Sequence, residues 1–190
     1  MRTISALAMI IVSAAMVVCG GCINETGEKT QSYEIVWAGT PPEGHSAIEA
    51  KLSRQIAPYE GVVYDNVTVS AMKKDGVTHL HATATSPACI YPDRYEFIYN
   101  DHLVRTGYLL EAIPESIRQD AIGIAMQDPE IAGVLSGDAG TPTVRRILPE
   151  TAEKFYTAKT CLSVTWADAS ASALIDMDSR SVVGTWGAGG

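Results

Sequence analysis

Very short connections between strand-like segments most constrain what this chain can fold into. Val67 and Val69 alternate with polar residues shortly before Asp75-Gly76, and an Asp-Gly pair is a strong hairpin signal. Two further pairs of segments are each joined by only three residues: Arg94–Tyr99 with Leu103–Leu110, and Ala171–Met177 with Ser181–Trp186. Because parallel strands need a connection of about a dozen residues or more, these short connections predict antiparallel pairing.

A helix is predicted between these groups of strands, in the stretch Glu111–Gly137. Pro114 is tolerated in the first turn of a helix, and Pro129 ends the run. The apolar residues of the stretch fall on one helical stripe: Ile117, Ala121, Ile124 and Ala125. The same spacing predicts a shorter helix through Ile48, Leu52 and Ile56. The sequence therefore predicts an α+β fold, with amphipathic helices packed on antiparallel β-sheet in two helix-plus-meander halves, residues 33–112 and 113–186.

The composition excludes some classes of partner. Of the 190 residues, 46% are apolar and 7% aromatic, which is enough for a core built mainly from aliphatic side chains. The formal net charge of −8 and a pI near 4.9 argue against nucleic acid and anionic lipid headgroups as partners. The last residues, 187–190, are mostly glycine and are predicted to form a flexible tail.

The first 21 residues have the features of an export signal. Arg2 supplies a positive start, and Ile4–Val18 is an uncharged apolar run. A run of about 15 residues has the length of a signal peptide and is shorter than the ~20 residues that a membrane-spanning helix needs. Residues 1–21 are therefore predicted to be a signal peptide, and residues 22–32 a polar tether.

The junction Cys19-Gly20-Gly21-Cys22 resembles the lipobox of prokaryotic surface lipoproteins, in which small residues precede a lipidated cysteine. It departs from that pattern at one position, because Cys19 stands where an apolar residue is usual. The resemblance implies that Cys22 is the first mature residue and carries lipid. The protein would then be anchored to the cell membrane and face outside the cytoplasm. Ordinary cleavage and an uncleaved anchor are the alternatives.

Two cysteines follow the signal region, Cys89 and Cys161. An even number of cysteines in an oxidising compartment predicts one disulfide between them. In the chain-entropy model, a bridge that closes a loop of about 70 residues stabilises a fold by roughly 4 kcal/mol.

Four other side chains are weak candidates for binding or modification. His79 and His81 are two residues apart on a predicted strand and share a face, but a zinc or copper site needs a third ligand. Two histidines on the exposed face of a half-buried strand are the favoured interpretation. Asn24 and Asn66 begin glycosylation sequons. The sequence contains no nucleophile elbow, phosphate loop or zinc-protease motif, so we predict no catalytic residue and no cofactor.

Four segments look like the PepSY family: Ala121–Ala125, Asp128–Ile131, Leu162–Val164 and Ala173–Val183. In that family a helix packs on an antiparallel sheet, and an apolar strand ending in aspartate turns tightly into a valine-rich strand. The resemblance covers about residues 115–186, and Arg180 stands where the turn usually has glycine. It implies a non-enzymatic extracytoplasmic module, sometimes inhibitory or regulatory towards peptidases. Related modules are common on surface proteins of methanogenic archaea.

Three functions are compatible with these observations. The preferred hypothesis is a cell-envelope lipoprotein that binds or modulates a protein partner without catalysis. Its contact site would be an exposed sheet edge at Ser181–Trp186, whose only charged neighbour is Arg180. The alternatives are an extracytoplasmic hydrolase with residues scattered along the chain, and a metal-binding surface protein that uses His79 and His81.

Overall fold

The computed structural model of this protein describes residues 33–135, 139–152 and 158–187. Five predicted features lie outside this part of the chain: the signal peptide, Cys22, the tether, Asn24 within it, and all but the first residue of the tail. Within the described ranges, none of the helices combines the length and the apolar character needed to cross a membrane.

The described residues form two sheets and four helices, which are joined by loops. The strands are β1 Glu34–Trp37, β2 Asn66–Lys74, β3 Val77–Thr85, β4 Asp93–Asn100, β5 His102–Leu110, β6 Thr143–Ile147, β7 Cys161–Trp166, β8 Ala171–Asp176 and β9 Ser181–Trp186. The helices are α1 His45–Gln55, α2 Glu115–Met126, α3 Pro129–Val134 and α4 Pro149–Ala152. Strands β1 to β5 form a five-stranded sheet and β6 to β9 a four-stranded sheet, each in sequence order. The predicted α+β class is confirmed.

The pair β1–β2 corrects the prediction of purely antiparallel sheet. These two strands run parallel, with Ile35 opposite Val67 and Trp37 opposite Val69. All other strand pairs in the two sheets are antiparallel. The reason is the connection: residues 38–65 contain α1, and a helix-containing crossover is long enough to return the chain to the same end of the sheet.

The short connections form tight turns in left-handed backbone conformation. Asp75, Asp101 and Arg180 have φ angles of 53°, 58° and 51°. Aspartate adopts this region more readily than most residues, whereas arginine rarely does. The Arg180 guanidinium is fixed by two bonds to the Asp120 carboxylate on α2, at 2.5 and 2.6 Å. A two-pronged ion pair therefore anchors the turn at the position where the PepSY pattern has glycine.

Helix α1 covers one face of the five-stranded sheet. Its buried residues Ile48 and Leu52, with Ile56 just after the helix, are those that the helical spacing predicts. They pack on the inward-facing positions of the sheet, including Val67, Leu80 and Phe97. The opposite face of this sheet carries exposed apolar side chains, among them Met72 and Val104.

Helices α2 and α3 cover one face of the four-stranded sheet. Ala121, Ile124 and Ala125 of α2 pack with the sheet residues Val164 and Ile175 in a second core. Helix α3 begins at Pro129, directly after Asp128, whose carboxylate accepts the N–H groups of Glu130 and Ile131 at 3.0 and 3.3 Å. An aspartate cap of this kind satisfies helix donors that would otherwise lack partners.

The two cores meet where β6 lies against β5. Leu148, just after β6, packs on the core of the five-stranded sheet, and its N–H donates to the Tyr108 hydroxyl at 3.2 Å. Arg145 of β6 pairs with Glu111 at 3.1 Å. The next residue, Arg146, pairs with the buried Asp93 and also lines a cleft between the two sheets.

Candidate functional site

Asp93, the first residue of β4, is the most buried carboxylate that the structure describes, with 1% of its surface exposed. Its two oxygens accept three donors. The Tyr64 hydroxyl donates at 2.5 Å, the Ala112 N–H at 2.6 Å and the Arg146 Nη2 at 3.2 Å. A buried carboxylate persists only with such partners, because its desolvation is otherwise too costly.

Arg146 supplies the positive charge of this cluster and is 6% exposed. Its Nη2 also donates to the Ala57 carbonyl at 2.7 Å and approaches the Tyr95 hydroxyl at 3.4 Å. Its Nε is buried and has no hydrogen-bond partner among the described residues. A buried donor without a partner costs about 1–3 kcal/mol, so this guanidinium is only partly satisfied by the groups around it.

Burial governs the ionisation of the cluster. Desolvation raises the pKa of Asp93 above its usual range, and the Tyr64 hydroxyl, the Ala112 N–H and the Arg146 charge oppose that rise. Burial and the nearby Asp93 charge raise the pKa values of Tyr64 and Tyr95. Both phenols are therefore neutral at physiological pH. They act as hydrogen-bonding groups that join the two sheets, and they are not poised to act as bases.

A cleft of about 420 Å³ opens beside Arg146. It lies between the loop that follows α1, the start of β7 and the turn from β8 to β9. Charged residues of both signs and one thiol line it: Glu60, Arg146, Lys159, Cys161 and Asp178. Tyr59, Leu162 and Met177 add apolar surface. The volume falls within the range of small-molecule sites, and the lining is more polar than is usual for them.

Lys159 and Asp176 form the second ion pair at this cleft, with Nζ and Oδ2 2.6 Å apart. The hydrogen bond from Lys159 lowers the pKa of Asp176 to about 2, and the same bond raises the pKa of Lys159. The other Asp176 oxygen accepts the N–H groups of Asp178 and Ser179 at 3.0 and 3.4 Å. Asp176 thus orders the turn and orients Lys159. It is a structural carboxylate and not a general acid.

The disulfide predicted between Cys89 and Cys161 is not formed in the structure, where both are free cysteines. They lie in different environments. The Cys89 thiol lies near Ser86, Asp93 and Arg118, whereas Cys161 lies near Asp176 and Lys159. Burial raises the pKa of both thiols, so neither is an activated nucleophile.

His79 and His81 lie on β3, on the face of the five-stranded sheet that α1 does not cover. The nearest carboxylate oxygen to His81 is that of Glu96, 3.9 Å from Nδ1. The described part of the chain contains no group of three or more His, Cys, Asp or Glu residues that could hold a metal ion. The metal-binding alternative therefore finds no third ligand there.

Asn66, the other modification candidate, is the first residue of β2 and is exposed. Its carboxamide oxygen lies 3.4 Å from the Thr68 hydroxyl, which is the third residue of the sequon. A glycan at this position would project from the end of the strand, and glycosylation of Asn66 stays a prediction.

The strand Ser181–Trp186 is β9, and it pairs only with β8 within the sheet that the structure describes. It is therefore an edge strand. Val183 and Trp186 are 40% and 44% exposed. The register shifts between Leu174 and Ile175 of β8, so that Val183 is an extra residue on β9 without an opposite partner. A bulge of this kind re-aims a side chain at a sheet edge.

Sequence reasoning missed the polar cluster and the cleft. One signal was present: Asp93, Tyr95 and Phe97 alternate, so a period of two puts the carboxylate on the same face as two core aromatics. A carboxylate on an apolar face requires a partner. Nothing local in the sequence identifies that partner as Arg146, which is 53 residues away.

Comparison with known proteins adds no functional assignment. The sequence matches no protein-family model, and it matches neither a curated protein nor a solved structure.

Proposed function

We propose that this protein is a non-catalytic binding module that holds a protein partner by strand addition at β9. The observation that carries the proposal is an uncharged six-residue edge strand with two exposed apolar side chains, Val183 and Trp186. Such an edge accepts an extended segment through main-chain hydrogen bonds, while its exposed side chains select the partner.

The other sheet edges are protected. Strands β5 and β6 contact each other, and the ion pairs Arg105–Glu150 and Arg145–Glu111 place charges beside these two edges. Strand β1 has only four residues, begins with Glu34, and has the Trp37 indole tied to Glu49 of α1 at 2.6 Å. Short length and charge are the usual protections of an edge. Strand β9 lacks both, and the bulge at Val183 is the protective feature that it has.

Trp186 is positioned as a contact residue by the strand itself. A Cβ atom added at Gly184 would come within 3.0 Å of Trp186 Cη2, so the indole lies over the glycine. The ring is also 44% exposed, so it lies at the surface of the edge strand, where Ser172 of β8 is the residue opposite Trp186. A large aromatic ring that is already fixed in place loses little conformational freedom when a partner covers it.

The test introduces a charge into the edge. Val183→Lys adds the side chain that natural edge strands use against pairing, and Val104→Lys is the matched control on an exposed strand position of the other sheet. Wild type and the two variants are each expressed in the source cells with a photoreactive residue replacing Ser181. We expect one crosslinked partner protein for wild type and Val104→Lys, and its loss in Val183→Lys. Equal crosslinking in all three proteins, or none in any, contradicts the proposal.

Anchoring through Cys22 belongs to the same proposal and is supported by the lipobox-like junction and the apolar run before it. Cys22→Ser removes the acceptor of the lipid, so we expect the chain to move from the membrane fraction to the soluble extracytoplasmic fraction. The measurement is fractionation together with intact mass. A wild-type chain without lipid that begins at another residue contradicts the anchor.

A further inference from the structure

We propose that the cleft beside Arg146 binds a small zwitterion of the amino-acid class, with the ligand's carboxylate at Arg146 and Lys159 and its ammonium group at Glu60 and Asp178. This site is separate from β9 and does not depend on the function proposed above. Three features of the cleft support such a ligand: one partly unsatisfied guanidinium, the balance of charges around the cleft, and the cleft's size.

Arg146 and Lys159 form the basic wall of the cleft, and both have hydrogen-bond donors for a ligand. Arg146 is held rigidly by Asp93 and the Ala57 carbonyl, and its buried Nε has no partner among the described residues. Lys159 carries three N–H donors, of which Asp176 engages one, and half of its side chain is exposed. A carboxylate that enters beside these two residues meets a guanidinium that its partners already hold in place.

The balance of charges argues against a simple anion as the ligand. Arg146 and Lys159 contribute two positive charges, and their partners Asp93 and Asp176 neutralise both. The remaining charged residues of the lining, Glu60 and Asp178, are acidic. The site as a whole is therefore negative by two charges. A ligand that brings only negative charge would be repelled, whereas one that also carries an ammonium group satisfies both walls.

The acidic wall includes an aromatic side chain, because Tyr59 lines the cleft together with Glu60 and Asp178. Burial raises the pKa of Tyr59, the charges of Glu60 and Asp178 raise it further, and Arg146 opposes the rise. An ammonium group is attracted both by carboxylates and by the face of an aromatic ring. Leu162 and Met177 leave apolar surface for the ligand's side chain. A volume of about 420 Å³ suits one amino acid or a dipeptide.

Three probes that share one branched aliphatic group but differ in their charged groups test which ligand charges the cleft recognises. L-leucine carries both charges, 4-methylpentanoate lacks the ammonium group, and 3-methylbutylamine lacks the carboxylate. We expect calorimetric titration of the full chain to show saturable binding of L-leucine, and binding at least about tenfold weaker for each analogue. Equal binding of the amine shows that the acidic wall acts alone. Equal binding of the acid shows an anion site. Either result overturns the proposal, as does no saturable binding of L-leucine, glycine or glycyl-leucine.

A double variant tests the acidic wall. Glu60→Gln/Asp178→Asn is expected to weaken L-leucine about tenfold and to leave 4-methylpentanoate no weaker, because only the ammonium contacts are removed. The matched control is Glu43→Gln/Asp75→Asn, which removes the same two charges from exposed positions outside the cleft. A control that weakens L-leucine as much as the cleft variant would show an effect of net charge and contradict the site. Crosslinking at β9 is scored separately, so failure here leaves the partner-binding proposal untouched.

Discussion

Arg146→Met is expected to destabilise the fold by about 3–5 kcal/mol at neutral pH, because it leaves Asp93 as a buried carboxylate without its cation. The hydroxyl of Tyr64 and the N–H of Ala112 remain as donors but carry no charge. Urea unfolding followed by circular dichroism measures the loss. The matched control is Arg145→Met, one residue earlier on β6. Its ion pair with Glu111 is partly exposed, so we expect a loss of no more than about 1 kcal/mol.

The pH dependence of this loss identifies its cause. Burial already raises the pKa of Asp93, and removal of Arg146 raises it further. A carboxyl group with a raised pKa in the folded state favours folding while it is protonated, and it disfavours folding as pH rises through that pKa. The difference between wild type and Arg146→Met should therefore be largest near pH 7 and shrink below about pH 4, where unfolded aspartate is protonated too. A difference that is the same at both pH values would assign the loss to packing.

A double variant completes this test. Asp93→Asn/Arg146→Met removes both charges, so no unpaired ion remains in the cluster. We expect it to be more stable than Arg146→Met alone, although it contains one more substitution. Non-additivity of this sign is characteristic of two residues in one buried network. If the double variant loses the sum of the two single losses, the ion pair is not what holds the cluster together.

The sequence predicted elements well where the signal was local. The hairpin at Asp75-Gly76 and the helix after Pro114 depend on turn chemistry and periodicity within a few residues, and the structure has both. The edge at Ser181–Trp186 was also predictable, because the strand comes last in its meander and is free of charge. The parallel pair β1–β2 was missed since pairing across a helix leaves no local mark.

The candidate site was unpredictable for a related reason. Its charged pairs, Asp93 with Arg146 and Lys159 with Asp176, join residues from different elements. No spacing rule connects such residues, because the fold and not the chain brings them together. The cysteines show the limit of counting: their even number predicted a bond, and both are free cysteines in the structure. Counting identifies possible partners, and only the three-dimensional fold decides which of them meet.

Ile175→Ala should lower the stability of both sheets, although Ile175 lies in the core of only one. Loss of a buried isoleucine side chain costs about 2–5 kcal/mol, and Ile175, on β8, is fully buried beneath α2 and α3. The five-stranded sheet has a core of its own. Whether the five-stranded sheet is also destabilised depends on the junction between the two cores. There, Arg146 and Leu148 of the β6 segment contact the five-stranded sheet and its core.

Native-state hydrogen exchange followed by mass spectrometry separates the two sheets, since peptides from β3 and β7 report on each one. If the polar cluster and Leu148 make the molecule one cooperative unit, Ile175→Ala lowers the opening free energy of β3 and β7 by the same amount. The control Val104→Ala removes an exposed side chain and should shift neither sheet by more than about 0.5 kcal/mol. A loss confined to β7 would mean that the two sheets unfold separately. The Asp93–Arg146 pair would then be a contact between independent units, and Arg146→Met would be expected to leave the exchange of β7 unchanged.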